Sequence, residues 1–169
     1  KIKVITNGVN TSLFKPKYSS RILLRKELKI DKKFVIGYIG TLGLAHDLGT
    51  ILKGALQLQN DSQNRDILFL FIGDGAEKGK LKSLSDDLNL NNVLFLDTVL
   101  RDQVINYWSI LDFSITHLKP SKLFKTVIPS KIFESMAMGI PILHGVQGES
   151  EKLIHKNKVG YVFKSGNEE

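Results

Sequence analysis

The residues best placed to do chemistry lie between positions 127 and 143. Ser130, Lys131 and Glu134 stand at the head of an apolar helical stretch, which Gly139 and Pro141 close. Ser130 has the side chain of a good helix N-cap. Lys131 then falls in the first turn, where a cation opposes the helix dipole; an anion beside it would make that placement favourable. Glu134 follows one turn later on the same face and offers two acceptor oxygens to hydroxyl donors. A lysine and a carboxylate at one helix mouth suit a ligand with both phosphate and hydroxyls. The same two residues also read as an ordinary surface i,i+3 pair, worth about 0.3 kcal/mol.

Three other loops carry weaker signals. In residues 37–47, Gly40 and Gly43 permit close backbone approach, Thr41 and His46 lie beside them, and the amides ahead of the next helix can face an anion. In residues 72–79, Gly73 and Gly75 end a strand, but the next glycine comes one place too late for a dinucleotide fingerprint. The loop 96–102 offers Thr98 and Val99 as a backbone edge for a planar group; a plain loop capped by Thr98 or Asp102 is the competing reading. Glu149 and Glu151 open a later helix, where acidic residues complement the dipole in any case.

The elements that must position these loops follow from periodicity. Short, nearly continuous apolar runs at 3–6, 34–39, 67–72, 93–96, 113–116, 140–143 and 160–163 read as strands buried on both faces. Between them, amphipathic spacing predicts helices at 20–28, 47–59, 77–88, 101–111, 130–138 and 149–156. Leu48, Ile51, Leu52, Ala55 and Leu58 make one stripe, and Val104, Ile105, Trp108 and Leu111 another. Alternation of this kind predicts an α/β fold: a single Rossmann-like domain with a parallel sheet and helices on both faces. Ligands of such sheets bind outside the carboxyl ends of the strands, where the four loops fall. Residues 1–20 read as a linker and 21–169 as the domain.

Composition removes several classes. The chain has 169 residues, no Cys and four His, none at i,i+3 or i,i+4 spacing, so neither disulfides nor a His- or Cys-based metal site is expected. No apolar run reaches the length of a transmembrane helix, and the start lacks a signal-peptide pattern and a Met; it reads as a piece of a longer protein. The net charge is +7. Its densest stretch, Lys15 to Lys33, fits a solvated surface or an anionic-membrane footprint, and lacks the interleaved aromatics of a nucleic-acid site.

The ordered set of segments resembles the retaining GT-B glycosyltransferases of the "glycosyl transferases group 1" family, and specifically their C-terminal, nucleotide-sugar-binding half. Residues 5–16 resemble the family's NGVD…F.P segment, 36–42 its first strand and glycine loop, and 71–81 its vGdGpe…L. Residues 92–99 resemble nV.FlG.v, and 131–143 resemble LLEAMA.G.PVI. Bacterial polysaccharide and O-antigen amino-sugar transferases with a PSK..E helix start are the most similar branch.

The resemblance implies a UDP-sugar co-substrate, with UDP favoured over GDP, and no metal or other cofactor. Glu134 would bind the ribose hydroxyls, and main-chain groups at Thr98 and Val99 the base. The amides after Gly40 and near Ser130 would hold the diphosphate, with Lys131 as its cation and His46 as a helper; Glu151 or Glu149 would face the sugar. Gly40, Thr41, Gly43, Gly73 and Ser130 complete the expected donor site. Two departures stand out. The family's first motif glutamate, eight positions before Glu134, is replaced by Thr126, and Thr41 and His46 fall where the family often has Arg and Lys. Catalytic groups and the glycan or lipid-linked acceptor would belong largely to an absent N-terminal domain, so this chain alone is expected to bind donor without transferring sugar. A cytoplasmic location, with peripheral contact at the inner face of the plasma membrane, is expected, and no nucleic-acid partner. Two rivals remain: half of a non-hydrolysing UDP-sugar epimerase, and a non-catalytic basic module that docks on membranes.

Overall fold

The computed structural model describes residues 7–61, 64 and 66–164. The strand expected at 3–6 lies outside them. Six parallel strands form one sheet in the order β3-β2-β1-β4-β5-β6. They are β1 (Phe34–Ile39), β2 (Ile67–Ile72), β3 (Val93–Leu96), β4 (Phe113–His117), β5 (Ile142–Gly145) and β6 (Gly160–Val162). The first three begin and end where the apolar runs do. β5 starts two residues later than the run at 140–143, because Pro141 has no N–H to give to a ladder.

The helices are α1 (Tyr18–Glu27), α2 (Leu48–Asn60), α3 (Lys78–Asp87), α4 (Val104–Ser109), α5 (Lys131–Ala137) and α6 (Glu149–Asn157). α1 begins inside the segment assigned to the linker. α4 is shorter than the expected 101–111, since residues 101–103 form a turn that the Leu100 carbonyl closes by accepting the Gln103 and Val104 amides. Neither Thr98 nor Asp102 caps it; its N-cap is Gln103, with no side-chain bond.

Alternation along β1 and β2 divides the core. Val35, Ile39, Leu68, Leu70 and Ile72 pack against α4, the end of α5 and residues next to α1. Tyr38, Phe69 and Phe71 face the opposite way, onto Leu48, Ile51, Leu52 and Ala55 of α2 and Leu81 of α3. A third cluster, Ile132, Ile142 and Ile154, joins α5, β5 and α6. Both sheet faces are thus covered by apolar helix stripes, as a parallel sheet requires.

Candidate nucleotide site

Chain order reverses between β1 and β4. At that point the connections leave in opposite directions along the sheet, and a crevice opens beyond the carboxyl ends. The loop after β1 does not wander. The Gly40 amide donates to the Ile72 carbonyl at 2.9 Å, and the Leu42 amide to Asp74 at 2.8 Å, so the loops after β1 and β2 continue the sheet's pairing. This contact requires glycine at 73, whose φ is +144° and where a Cβ would strike the Gly40 carbonyl. The expectation that the amides after Gly40 hold an anion is therefore narrowed. Those of Gly40 and Leu42 are committed, while those of Thr41 and Gly43 have no acceptor among the described residues.

Lys131, the first residue of α5, reaches across the crevice to this loop. Its Nζ lies 4.8 Å from the centroid of the Tyr38 ring, over the ring face. A Cβ added to Gly40 would come within 2.6 Å of that nitrogen, and the φ of +141° at this position calls for glycine. No carboxylate among the described residues lies within ion-pair distance of Nζ. Burial lowers the Lys131 pKa below the usual lysine value, opposed by the charge of Glu134. Burial likewise raises Glu134, opposed by Lys131. Both shifts are dominated by lost hydration rather than by pairing, so the two groups do not satisfy each other.

Tyr38 links these parts. It is 1% exposed, and its hydroxyl donates to the Thr41 carbonyl at 2.7 Å. The ring of His46 meets it edge-on, with centroids 5.6 Å apart. The Nδ1–H of His117, at the end of β4, donates to the His46 carbonyl at 2.8 Å. Burial first, and then the charge of Lys131, lower the His46 pKa. Sequence reading missed Tyr38, which looked like one more apolar strand residue.

Beside this cluster lies a cleft of about 270 Å³ lined by Gly40, Thr41, Gly73, Asp74, Thr98 and Val99, among others. The structure thus gathers Gly40, Thr41, Gly73, Thr98 and Val99 around one opening, with Lys131 touching its Gly40 rim. Gly43 lines a different depression, with Lys80 and Lys119. Ser130 sits at the N-cap position of α5 with helical backbone angles and no capping bond, so the side-chain cap expected there is not made. The Glu151 carboxylate accepts the Gly148 amide at 3.0 Å and caps the start of α6, while Glu149 pairs with Lys152 at 2.9 Å. Thr126 lies in a short 3-10 turn, its hydroxyl bonded to the Leu123 carbonyl. A wider depression, about 700 Å³, lies at the opposite end of the sheet, around Phe113, Pro141 and Tyr161. It lacks the glycine loops and the strand carboxyl ends that bind ligands in such sheets. Among the described residues, no group of three metal-ligating side chains comes together, and no helix is long and apolar enough to cross a membrane.

A single α/β domain with six parallel strands and helices on both faces is the fold of GT-B glycosyltransferase C-terminal domains. The profile of the family "Glycosyl transferases group 1" matches residues 19–169, and the chain belongs to that family. It is 29% identical over 143 residues to TuaH of Bacillus subtilis (strain 168), which is provisionally named as a teichuronic acid biosynthesis glycosyltransferase; the match covers 85% of this chain and 34% of TuaH. The fold matches Anabaena Alr3699/HepE, crystallised in complex with UDP and glucose, with TM-score 0.80 and 22% identity over 98% of this chain and 44% of that one. It also matches the C-terminal domain of the group 1 family protein LpcC from Francisella tularensis, with TM-score 0.74 and 18% identity over 95% of this chain and 82% of that one. The chain therefore spans about a third of TuaH and less than half of HepE, but most of an isolated C-terminal domain.

Proposed function

We propose that this domain holds the nucleoside diphosphate part of a UDP-sugar for a glycosyltransferase. The observation that carries the reading is Lys131: a partly buried ammonium at the strand-order reversal, against a glycine loop, with no carboxylate partner among the described residues. Such a cation costs hydration free energy that an incoming diphosphate would offset. The free Thr41 and Gly43 amides and the main chain near Ser130 would complete the anion site, so the charge developing on the leaving UDP would be met by protein groups without a metal. The cleft beside Thr98 and Val99 would take the base, and Glu134 the ribose hydroxyls. The choice of UDP draws support from HepE, whose crystals hold UDP and glucose.

The finer reading follows the family resemblance. Transfer would proceed with retention, to a glycan or lipid-linked acceptor held by another domain of the whole protein. The teichuronic acid assignment of TuaH supports a polysaccharide role. This domain alone would bind donor without turning it over. The exposed Tyr18, Ile22 and Leu23 on α1, beside Lys26 and Lys29, would give the whole enzyme a peripheral contact with anionic lipid.

The test is a backbone-amide NMR titration with UDP, GDP and inorganic phosphate at fixed salt. A half-site should bind UDP with a Kd near 1 mM, about −4 kcal/mol. Shifts clustered at Gly40–Gly43, Thr98–Val99 and Ser130–Glu134 with UDP are expected. Absence of clustered shifts with either nucleotide at ten times that concentration would reject the reading.

A further inference from the structure

The donor-site reading assigns the phosphate cation to Lys131 but leaves open what holds that cation in place. α5 supplies only the backbone of Lys131. The rest of the side chain spans the crevice to a loop more than ninety positions away in sequence, and a long, flexible lysine makes such a reach only against a surface that fixes it. Among the described residues no carboxylate fixes it. What lies beneath the ammonium is the Tyr38 ring, at 4.8 Å. The ring itself is immobile: it is 1% exposed, flanked by Phe71 at 6.5 Å and His46 at 5.6 Å, and tied through its hydroxyl to the Thr41 carbonyl.

We infer that Tyr38 is the positioning residue of the diphosphate subsite. Its ring face seats the Lys131 ammonium over Gly40, and its hydroxyl turns the Thr41 carbonyl inward. The inference rests on the donor-site reading for the identity of the anion, and on the observed contacts for the rest. An aromatic face suits this task better than a carboxylate. It attracts a cation without neutralising it, so the full positive charge stays available to the ligand. A carboxylate in the same place would be a competing anion. The hydroxyl contact has a second consequence. With its carbonyl bonded to Tyr38, the Thr41 peptide is held with its oxygen away from the crevice, so no lone pair opposes an anion there. One buried side chain thus controls three residues already placed at the site: Lys131, Thr41 and His46.

The experiment compares Tyr38→Phe, Tyr38→Leu, Lys131→Met and the Tyr38→Leu/Lys131→Met double variant of the 169-residue chain. The first readout needs no nucleotide. In the unaltered protein the Lys131 ε-methylene NMR signals should be shifted upfield by the ring, should stay shifted in Tyr38→Phe, and should revert in Tyr38→Leu. The second readout is UDP affinity. Tyr38→Leu should weaken it about fivefold to tenfold when Lys131 is present, and less than about twofold in the Lys131→Met background, because the ring acts through that cation. Tyr38→Phe should weaken it about threefold, reporting the Thr41 bond alone, and guards against a leucine variant that folds poorly.

Equal losses from Tyr38→Leu in both backgrounds, or an unshifted Lys131 signal in the unaltered protein, would overturn the inference, leaving Tyr38 as a core residue only. A shifted signal combined with no UDP binding in any variant would instead overturn the nucleotide reading, while leaving the seat for Lys131 standing.

Discussion

Two cations, Arg25 buried and Lys131 half-buried, make the instructive contrast in this domain. Arg25, on α1, is 7% exposed and bonded to three groups of the chain. It donates to the carbonyls of Ile110, at 2.8 Å, and Lys33, and pairs with Asp112 at 3.1 Å. Arg21 reaches the other oxygen of the same carboxylate at 2.5 Å, and the Val35 amide also donates to Asp112, at 2.7 Å. This network fastens α1 and the start of β1 to the turn before β4, at the amino-terminal end of the sheet. Lys131, at the opposite end, has an aromatic face and, among the described residues, no carboxylate within ion-pair distance. A cation bonded inside the chain serves the fold. On the proposed reading, one desolvated without such bonds serves an incoming anion, and the two ends of one sheet divide stability from binding.

The largest effect should come from removing the satisfied cation. Arg25→Met strands the Ile110 and Lys33 carbonyls and leaves Asp112 to Arg21 and the Val35 amide; losing these charge-assisted bonds costs about 3 kcal/mol, read as a lower urea midpoint. UDP affinity of the folded fraction should not change. The pH dependence follows. Burial alone raises the Asp112 pKa, but the Val35 amide and the two guanidiniums outweigh it and hold the carboxyl below its ordinary value. A depressed carboxylate stabilises the fold above its unfolded pKa, and that contribution is lost as pH falls through the folded one. Arg25→Met should therefore lessen, without abolishing, the acid limb of the stability curve, since Arg21 and the Val35 amide still hold the carboxylate.

A buried base tests whether every desolvated titratable group marks a binding site. His144 is fully buried, bonds Ser150 through Nε2 at 3.0 Å, and lies against the Val146 backbone. Burial lowers its pKa to about 4. Unlike Lys131 it remains neutral at pH 7, so its burial costs little there. Its folded pKa lies below its unfolded value, so stability should fall as pH drops from about 6.5 towards 4. The loss approaches roughly 3 kcal/mol. Replacing His144 with Leu should remove that slope, measured by urea denaturation across the range, and leave UDP binding at pH 7 unchanged.

How much of this was legible beforehand differs between fold and site. β1, β2 and β3 were readable because a strand buried on both faces is a continuous apolar run bounded by polar residues. The boundaries that moved did so for local reasons: Pro141 cannot join a ladder, and the Leu100 carbonyl closes a turn before α4. The glycine loops and the Ser130–Glu134 helix start were readable as candidates because their residue types are unusual where they stand. The seat under Lys131 was not. It depends on β1 and β4 being neighbours in the sheet, a fact of topology, and Tyr38 has the same apolar signature as Ile36 or Phe71. The committed amides of Gly40 and Leu42 were hidden for the same reason, since their acceptors come from the end of β2 and the loop after it.

Removing the unsatisfied cation should invert the outcome seen for Arg25. Lys131→Met should weaken UDP about tenfold to a hundredfold, the range of a charge-assisted bond of about 1.5–3 kcal/mol. Stability at pH 7 should hold or rise, because a desolvated charge is replaced by an apolar chain. In the unaltered protein the lowered Lys131 pKa means that the unfolded chain binds the extra proton more tightly. The lysine's unfavourable contribution therefore fades as pH rises from the folded towards the unfolded value. Pyrophosphate should lose affinity in parallel with UDP. A variant as destabilised as Arg25→Met would show that Lys131 belongs to the structural class.

The smallest effect separates the two halves of the ligand. Glu134 sits on the same helix face as Lys131, and burial raises its carboxyl, with Lys131 opposing. A raised carboxyl favours the protonated form, so this group's contribution to stability is present below its unfolded pKa and is lost as pH rises through the folded one. Glu134→Gln removes that cost and keeps one acceptor oxygen, so the fold should be as stable at pH 7 or slightly more so. If the carboxylate meets ribose hydroxyls, UDP should weaken about fivefold, the scale of one hydrogen bond of about 1 kcal/mol. Pyrophosphate, which has no ribose, should bind no worse, and slightly better once a neighbouring negative charge is gone. Lys131→Met weakens both probes and Glu134→Gln only one. A Glu134→Gln variant that lost pyrophosphate as well would mean that the carboxylate acts on the ligand only by orienting Lys131, and the hydroxyl contact would have to be sought elsewhere along the cleft.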